Sequence, residues 1–132
     1  MNEFTMSRTL PLAFDASLAA FKAALTAQGF GVLYELDFSA IIAEKTGNPL
    51  PGRVVGLGVC DPRLARQALL AEPLVAALLP CGVFAIESQA GTTLGALDPG
   101  AAMALTGLGA LESLGQETKA RLQAALDGVS AA

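Results

Sequence analysis

The nucleophilic side chains of this sequence that stand out are its two cysteines, and each meets a proline-marked boundary: Cys60-Asp61-Pro62 opens the stretch that Pro80-Cys81 closes. A cysteine at the end of a strand and just before a helix N-terminus faces unpaired N–H groups and the positive end of the helix dipole, which favour a thiolate. Cys60 reads this way, with the carboxylate of Asp61 working against it. Cys81 follows a helix C-terminus, where the dipole disfavours the anion, so at most one of the two is an activated thiol. The plainer alternative is that both are small buried hydrophobes, a common fate of free cysteine. Two thiolates are too few to close a tetrahedral zinc site unless a second subunit brings its own pair, so neither a metal nor a cofactor is expected.

Glu35 in YELD and Lys45 in EKTG form the next pair, one on a strand and one on the helix after it. In a pocket they would serve as general acid and base; on a rim they are an ion pair of modest worth. Asp98, before Pro99, reads as a helix cap, and Tyr34, the single tyrosine, as core or interface packing. Gly56-Leu57-Gly58 lacks the spacing of a dinucleotide fingerprint or P-loop. The absence of histidine removes Ser-His-Asp and Cys-His activation and every histidine-containing zinc site. No nucleophile, base and orienting group assemble, so no catalytic residue is assigned and the question of enzymatic activity stays open.

These residues belong to a chain of 132, the size of one domain, and nothing in it reads as a linker, so residues 1–132 are taken as a single domain. With 53% hydrophobic and 15% charged residues and a mean hydropathy of +0.54, the chain is too apolar for disorder. A small domain has too little interior for all of that, and the surplus predicts a subunit interface, hence a homodimer or higher homo-oligomer. The longest apolar stretch, Leu74 to Ile86, falls short of the roughly 20 residues of a spanning helix and contains Pro80 and Gly82. No membrane association is expected. The opening MNEFTMSRTLPL shows no secretory pattern, which predicts a cytoplasmic location with reduced thiols. A net charge of -4 with eight scattered Lys and Arg leaves no basic stripe for phosphates, so nucleic acid is not an expected partner.

The elements that must position the candidates emerge from local pattern. Phe4, Met6, Arg8 and Leu10 alternate with polar residues as one face of a strand, Arg8 being the flaw. Asp15 is placed to cap a helix carrying Leu18, Phe21 and Leu25 on one face and stopping at Gly29. Phe30 to Asp37 reads as a strand, Phe38 to Thr46 as a short helix ending at Gly47, and Val54 to Cys60 as a central strand covered on both sides, its glycines marking a close approach. Asp61-Pro62 starts a helix running to about Glu72; Pro73 breaks it, leaving a second short helix over Leu74 to Leu79. Gly82 to Ser88 and Thr92 to Leu97, around a glycine-bearing turn, read as a hairpin. Asp98-Pro99 starts another helix, and Leu111 to Leu126 supply a closing one.

The ordered set GFGVLYELD, EKTG, GVCDP, LAEP, LLPCGV and ALDPGAAM, covering roughly residues 29 to 105, resembles the domain of unknown function 302 family. The resemblance implies an α+β domain, a mostly antiparallel five-stranded sheet with helices packed on it, of TATA-binding-protein-like architecture and tending to dimerise; it implies no reaction. The matching polar positions are Glu35, Lys45, Cys60, Glu72, Cys81 and Asp98. This chain departs at Asp61 and Gly82, where the family commonly shows asparagine, removing two amides beside the cysteines.

The break at Pro73 governs whether the thiols meet. An unbroken helix over residues 62–79 would rise about 26 Å, whereas two short helices that double back return Cys81 to the place where Cys60 left the sheet. The function expected is a small-ligand-binding or interaction module, with Cys60, Asp61, Cys81, Glu35 and Lys45 as binding candidates; the alternative is a thiol-dependent redox or sulfur-handling protein using Cys60 and Cys81.

Overall fold

The computed structural model describes residues 4–129. In chain order these form β1 (Thr5–Leu10), α1 (Phe14–Ala27), β2 (Gly31–Asp37), α2 (Phe38–Thr46), β3 (Val54–Cys60), α3 (Pro62–Ala71), a 3₁₀ helix over Pro73–Leu78, β4 (Cys81–Ser88), β5 (Gly91–Leu97), α4 (Pro99–Ala104) and α5 (Gly109–Asp127). The strands make one sheet in the order β1-β5-β4-β3-β2, every neighbouring pair antiparallel. The class is α+β with a five-stranded antiparallel sheet. β4 holds its centre; β3, read from sequence as central, stands one in from the β2 edge.

Alternation along the strands divides the sheet into two faces of different character. Met6, Val55, Leu57, Val59, Val83, Ala85, Leu94 and Ala96 point inward and join Phe21, Leu25, Leu122 and Leu126 of α1 and α5 in the main core. A fully buried Phe or Leu side chain of this kind contributes about 2 kcal/mol. A second cluster of Ala68, Val75, Met103 and Leu111 joins α3 and the 3₁₀ helix to α4 and α5.

Arg8, the flaw in the first strand, has a structural use: its Nη1 donates to the carbonyls of Leu126 and Val129, both at 2.7 Å, at the C-terminal end of α5. Phe4 does not share the buried face of β1 and is 62% exposed. Asp15 is not the cap of α1, which begins at Phe14 behind Ala13; it lies in the first turn and pairs with Arg53 at 2.6 Å. Asp37, Asp61 and Asp98 do cap their helices, accepting from the backbone N–H groups of Ala40, Arg63, and Gly100 with Ala101.

The helix after Asp61 ends at Ala71, and Glu72 turns extended at φ -156 before Pro73. The second short helix, expected over Leu74 to Leu79, is a 3₁₀ helix over Pro73–Leu78, capped by the Glu72 carboxylate on Leu74 N at 3.0 Å. A six-residue segment between two prolines has few i to i+4 bonds available to it, and the tighter i to i+3 pattern closes it instead. β4 begins at Cys81 and β5 at Gly91, one residue earlier than their patterns indicated. Gly91 adopts φ +124, which lets the hairpin close. No helix among the described residues is long and apolar enough to cross a membrane.

Candidate functional site

The chain leaves the sheet at Cys60, runs through α3 and the 3₁₀ helix, and re-enters at Cys81. Because the helical stretch doubles back, β3 and β4 are antiparallel neighbours with Val59 directly opposite Cys81. Both thiols are free and partly buried, and both line one small cavity with Phe30, Asp61, Leu64, Ala68 and Met103. Its volume, about 30 Å³, accommodates a water or two and no metabolite.

The electrostatics around the thiols run against the expectation of an activated Cys60. Burial raises its pKa above the ordinary 9.0, and the neighbouring Asp61 charge raises it further. Burial pushes Cys81 up to about 11, with Cys60 adding to the effect. Desolvation and a fixed carboxylate outweigh the partial charge at the start of α3, so both groups stay thiols near neutral pH.

Asp61 is fully committed to the protein. Its side chain is only 2% exposed, caps α3 at Arg63 N (3.0 Å), and pairs with Arg121 of α5 and, at 3.4 Å, with Arg63. Burial alone would raise its carboxyl, but the hydrogen bonds from Arg121 and Arg63 prevail and hold it below the usual 3.8. Arg121 also donates to the Gln28 carbonyl and lies over the Phe30 ring at 5.4 Å. Nothing in the sequence pattern singled out Arg121, although it falls three residues after Thr118 on the face of α5 that Leu122 and Ala125 help bury.

Glu35 and Lys45 do not come together. Glu35 pairs instead with Lys22 of α1 at 2.6 Å, both side chains well exposed, and Lys45 lies in the last turn of α2 with no ion pair among the described residues. α1 packs over β2 on the inner side of the sheet, where Glu35 points, whereas α2 turns back across the outer side against β3; the two candidates are therefore on opposite faces. Asp98 is the helix cap expected, and Lys119 holds it at 2.9 Å.

A larger apolar concavity lies elsewhere, on the outer face of the sheet. Phe4, Tyr34, Leu36, Phe38, Phe84 and Leu97 surround a groove of about 320 Å³ whose floor includes Gly56 and Gly82. The glycines of VVGLGVC explain how the rings reach the sheet. A Cβ at Gly56 would run into the Phe38 ring, and one at Gly58 into the Tyr34 ring and Pro80. Phe84 lies in the same manner on Gly95, its partner in register on β5. These are aromatic side chains lying across glycine rungs of neighbouring strands. The sequence signal was the close approach marked by Gly56 and Gly58; the approaching groups turn out to be rings from β2 and α2.

Among the described residues no three His, Cys, Asp or Glu side chains cluster as a metal site. No curated protein matches the sequence. The crystal structure of the uncharacterized conserved protein DUF302 from Bacillus stearothermophilus is similar, with 25% identity and a TM-score of 0.91 over 98% of this chain and 100% of that one. The family described as "Domain of unknown function DUF302" matches residues 6–129, from within β1 to just past the end of α5, and on that match the chain belongs to the DUF302 family.

Proposed function

We propose that this DUF302 chain is a cytoplasmic small-ligand-binding module and that the ligand lies in the outer groove of the sheet. The observation that carries the reading is the groove itself: about 320 Å³, framed by four aromatic rings and, among the described residues, lined by no charged side chain. That volume is within the range of about 300–1,000 Å³ common to small-molecule sites, and an apolar lining with few polar groups is their usual chemistry.

Self-association is part of the proposal. Leu33, 62% exposed, together with Val32 and Ile41 forms an apolar rim along β2 and α2 that one chain leaves uncovered. Copies meeting along that rim leave the centre of the sheet open to ligand. Light scattering near twice 13.4 kDa is expected; a mass of 13.4 kDa at micromolar concentration removes the dimer and leaves the groove untouched.

Thiol-dependent redox or sulfur chemistry at Cys60 and Cys81 has their shared cavity in its favour. It has against it the small volume and the raised pKa of both groups. Native mass spectrometry of the purified protein separates the two. A non-covalently held small molecule, released on denaturation and absent from a Gly82→Leu variant, supports the groove. A covalent mass shift on Cys60 or Cys81 with nothing held in the groove supports the thiols.

A further inference from the structure

We infer that the groove selects uncharged planar ring compounds bearing one hydrogen-bonding group, and that the hydroxyl of Tyr34 reads that group; this rests on the groove being a ligand site, as proposed above. Among the described residues no carboxylate, ammonium or guanidinium lines the groove. A charged ligand entering it would surrender hydration with no counter-charge in return. Phe4, Tyr34, Phe38 and Phe84 reach the groove from four separate segments, and ring faces and edges of this kind favour a flat aromatic partner. The glycine floor keeps the space open, since a Cβ at Gly82 would meet nothing within 4 Å. At the low end of the usual size range, the space suits one or two fused rings.

Tyr34 contributes a polar element, beside Thr5 at the groove wall. Its ring is seated on Gly58, its register partner on β3, and is therefore held in place from below. The residue is 45% exposed, and its hydroxyl has no hydrogen-bond partner among the described residues. A phenolic hydroxyl both donates and accepts, so it can satisfy a ligand hydroxyl, carbonyl or ring nitrogen that would otherwise be desolvated unpaired. Selection then comes from the pairing, because the ring contacts alone do not distinguish a compound with the polar group from its hydrocarbon counterpart.

The test compares 2-naphthol, naphthalene and 2-naphthoate by calorimetry on the wild-type chain and the Tyr34→Phe and Gly82→Leu variants. The wild type is expected to bind 2-naphthol roughly three- to tenfold more tightly than naphthalene, the difference of one net hydrogen bond, and to reject 2-naphthoate. Tyr34→Phe keeps the ring and loses the preference. Gly82→Leu projects into the open groove and loses both neutral compounds with the fold intact by circular dichroism. Equal binding of 2-naphthol and naphthalene by the wild type, a preference that survives Tyr34→Phe, or tight binding of 2-naphthoate overturns this inference and leaves the groove as a ligand site. Binding of neither neutral compound by the wild type, or unchanged binding in Gly82→Leu, overturns the ligand reading as well. If in the former case Gly82→Leu also lowers the mass seen by light scattering, the groove is a contact between copies.

Discussion

The guanidinium of Arg121 closes on the carboxylate of Asp61 across 60 residues of sequence, and the same guanidinium donates to the carbonyl of Gln28. One side chain of α5 thereby fastens the start of α3 and the end of α1. Asp61 is 2% exposed and Arg121 22%, so the pair is largely withdrawn from water and each partner depends on the other. The thiol-lined cavity lies immediately against it.

Removing Arg121 should therefore cost more than neutralising Asp61. Arg121→Ala leaves a carboxylate inside the protein without its main counter-charge, for which a loss of about 3 kcal/mol is expected. Asp61→Asn keeps one side-chain oxygen for the cap of α3 while its amide NH2 faces the Arg121 guanidinium, which retains the Gln28 carbonyl and 22% exposure, so a smaller loss of about 2 kcal/mol is expected. Urea denaturation of both variants checks the order; equal losses would mean that the Asp61 carboxylate left without Arg121 carries no burial penalty of its own.

Acid sensitivity arises from the same carboxylates. Asp61 and Asp98 are pulled below 3.8 although burial opposes the shift, because Arg121 and Lys119 prevail; Asp37 is lowered chiefly by the Ser39 hydroxyl. A carboxyl depressed in the folded state binds fewer protons there than in the unfolded chain. Its contribution is complete above the unfolded value and is lost as pH falls through the folded one. Stability should be level near neutrality and decline from about pH 5 downward. The gap between wild type and Asp61→Asn should narrow as pH falls below 3.8, the ordinary carboxylate value that Asp61 lies beneath, and a gap that stays constant throughout the acid decline would contradict the assignment.

Both cysteines should react slowly with iodoacetamide at neutral pH, at least tenfold below an unfolded control, since burial keeps them protonated and restricts access. Cys60 should be modified first, and labelling of Cys81 should keep rising with alkali toward its value of about 11 for as long as the fold survives. Peptide mapping of partly labelled protein decides. Rapid modification of Cys60 at pH 7 would restore the activated-thiol reading.

Two glycines on adjacent strands should respond oppositely to the same substitution. Gly58→Ala drives a methyl group into the Tyr34 ring and Pro80, and should cost about 1–3 kcal/mol as an overpacked site. Gly82→Ala meets nothing and should be neutral or slightly stabilising, because alanine loses less backbone freedom on folding than glycine. Thermal melts of the two variants suffice, and a destabilised Gly82→Ala would show that the outer face is more closely covered than a single chain makes it.

Local backbone chemistry determined most of the element boundaries from the sequence alone. Asp61-Pro62 and Asp98-Pro99 start helices because an aspartate oxygen and a proline ring act within three residues of themselves, and the stop at Gly47 and the break at Pro73 are equally short-ranged. The strands were legible for the same reason: alternation at Met6 and Leu10 and the run from Val54 to Cys60 announce their geometry without reference to a partner. Partner choice was another matter. Glu35 and Lys45 are ten residues apart yet lie on opposite faces of the sheet, while Glu35 finds Lys22 because α1 crosses the inner side. Arg8 could be seen as a flaw in a strand but not as the donor to Leu126, which lies 118 residues away. The place of β3 beside an edge, the pairing of Arg121 with Asp61, and the groove gathered from Phe4, Tyr34, Phe38 and Phe84 all depend on the strand order. That order is settled by how the whole inner face buries itself at once, a property of the assembled sheet that no short window of sequence contains.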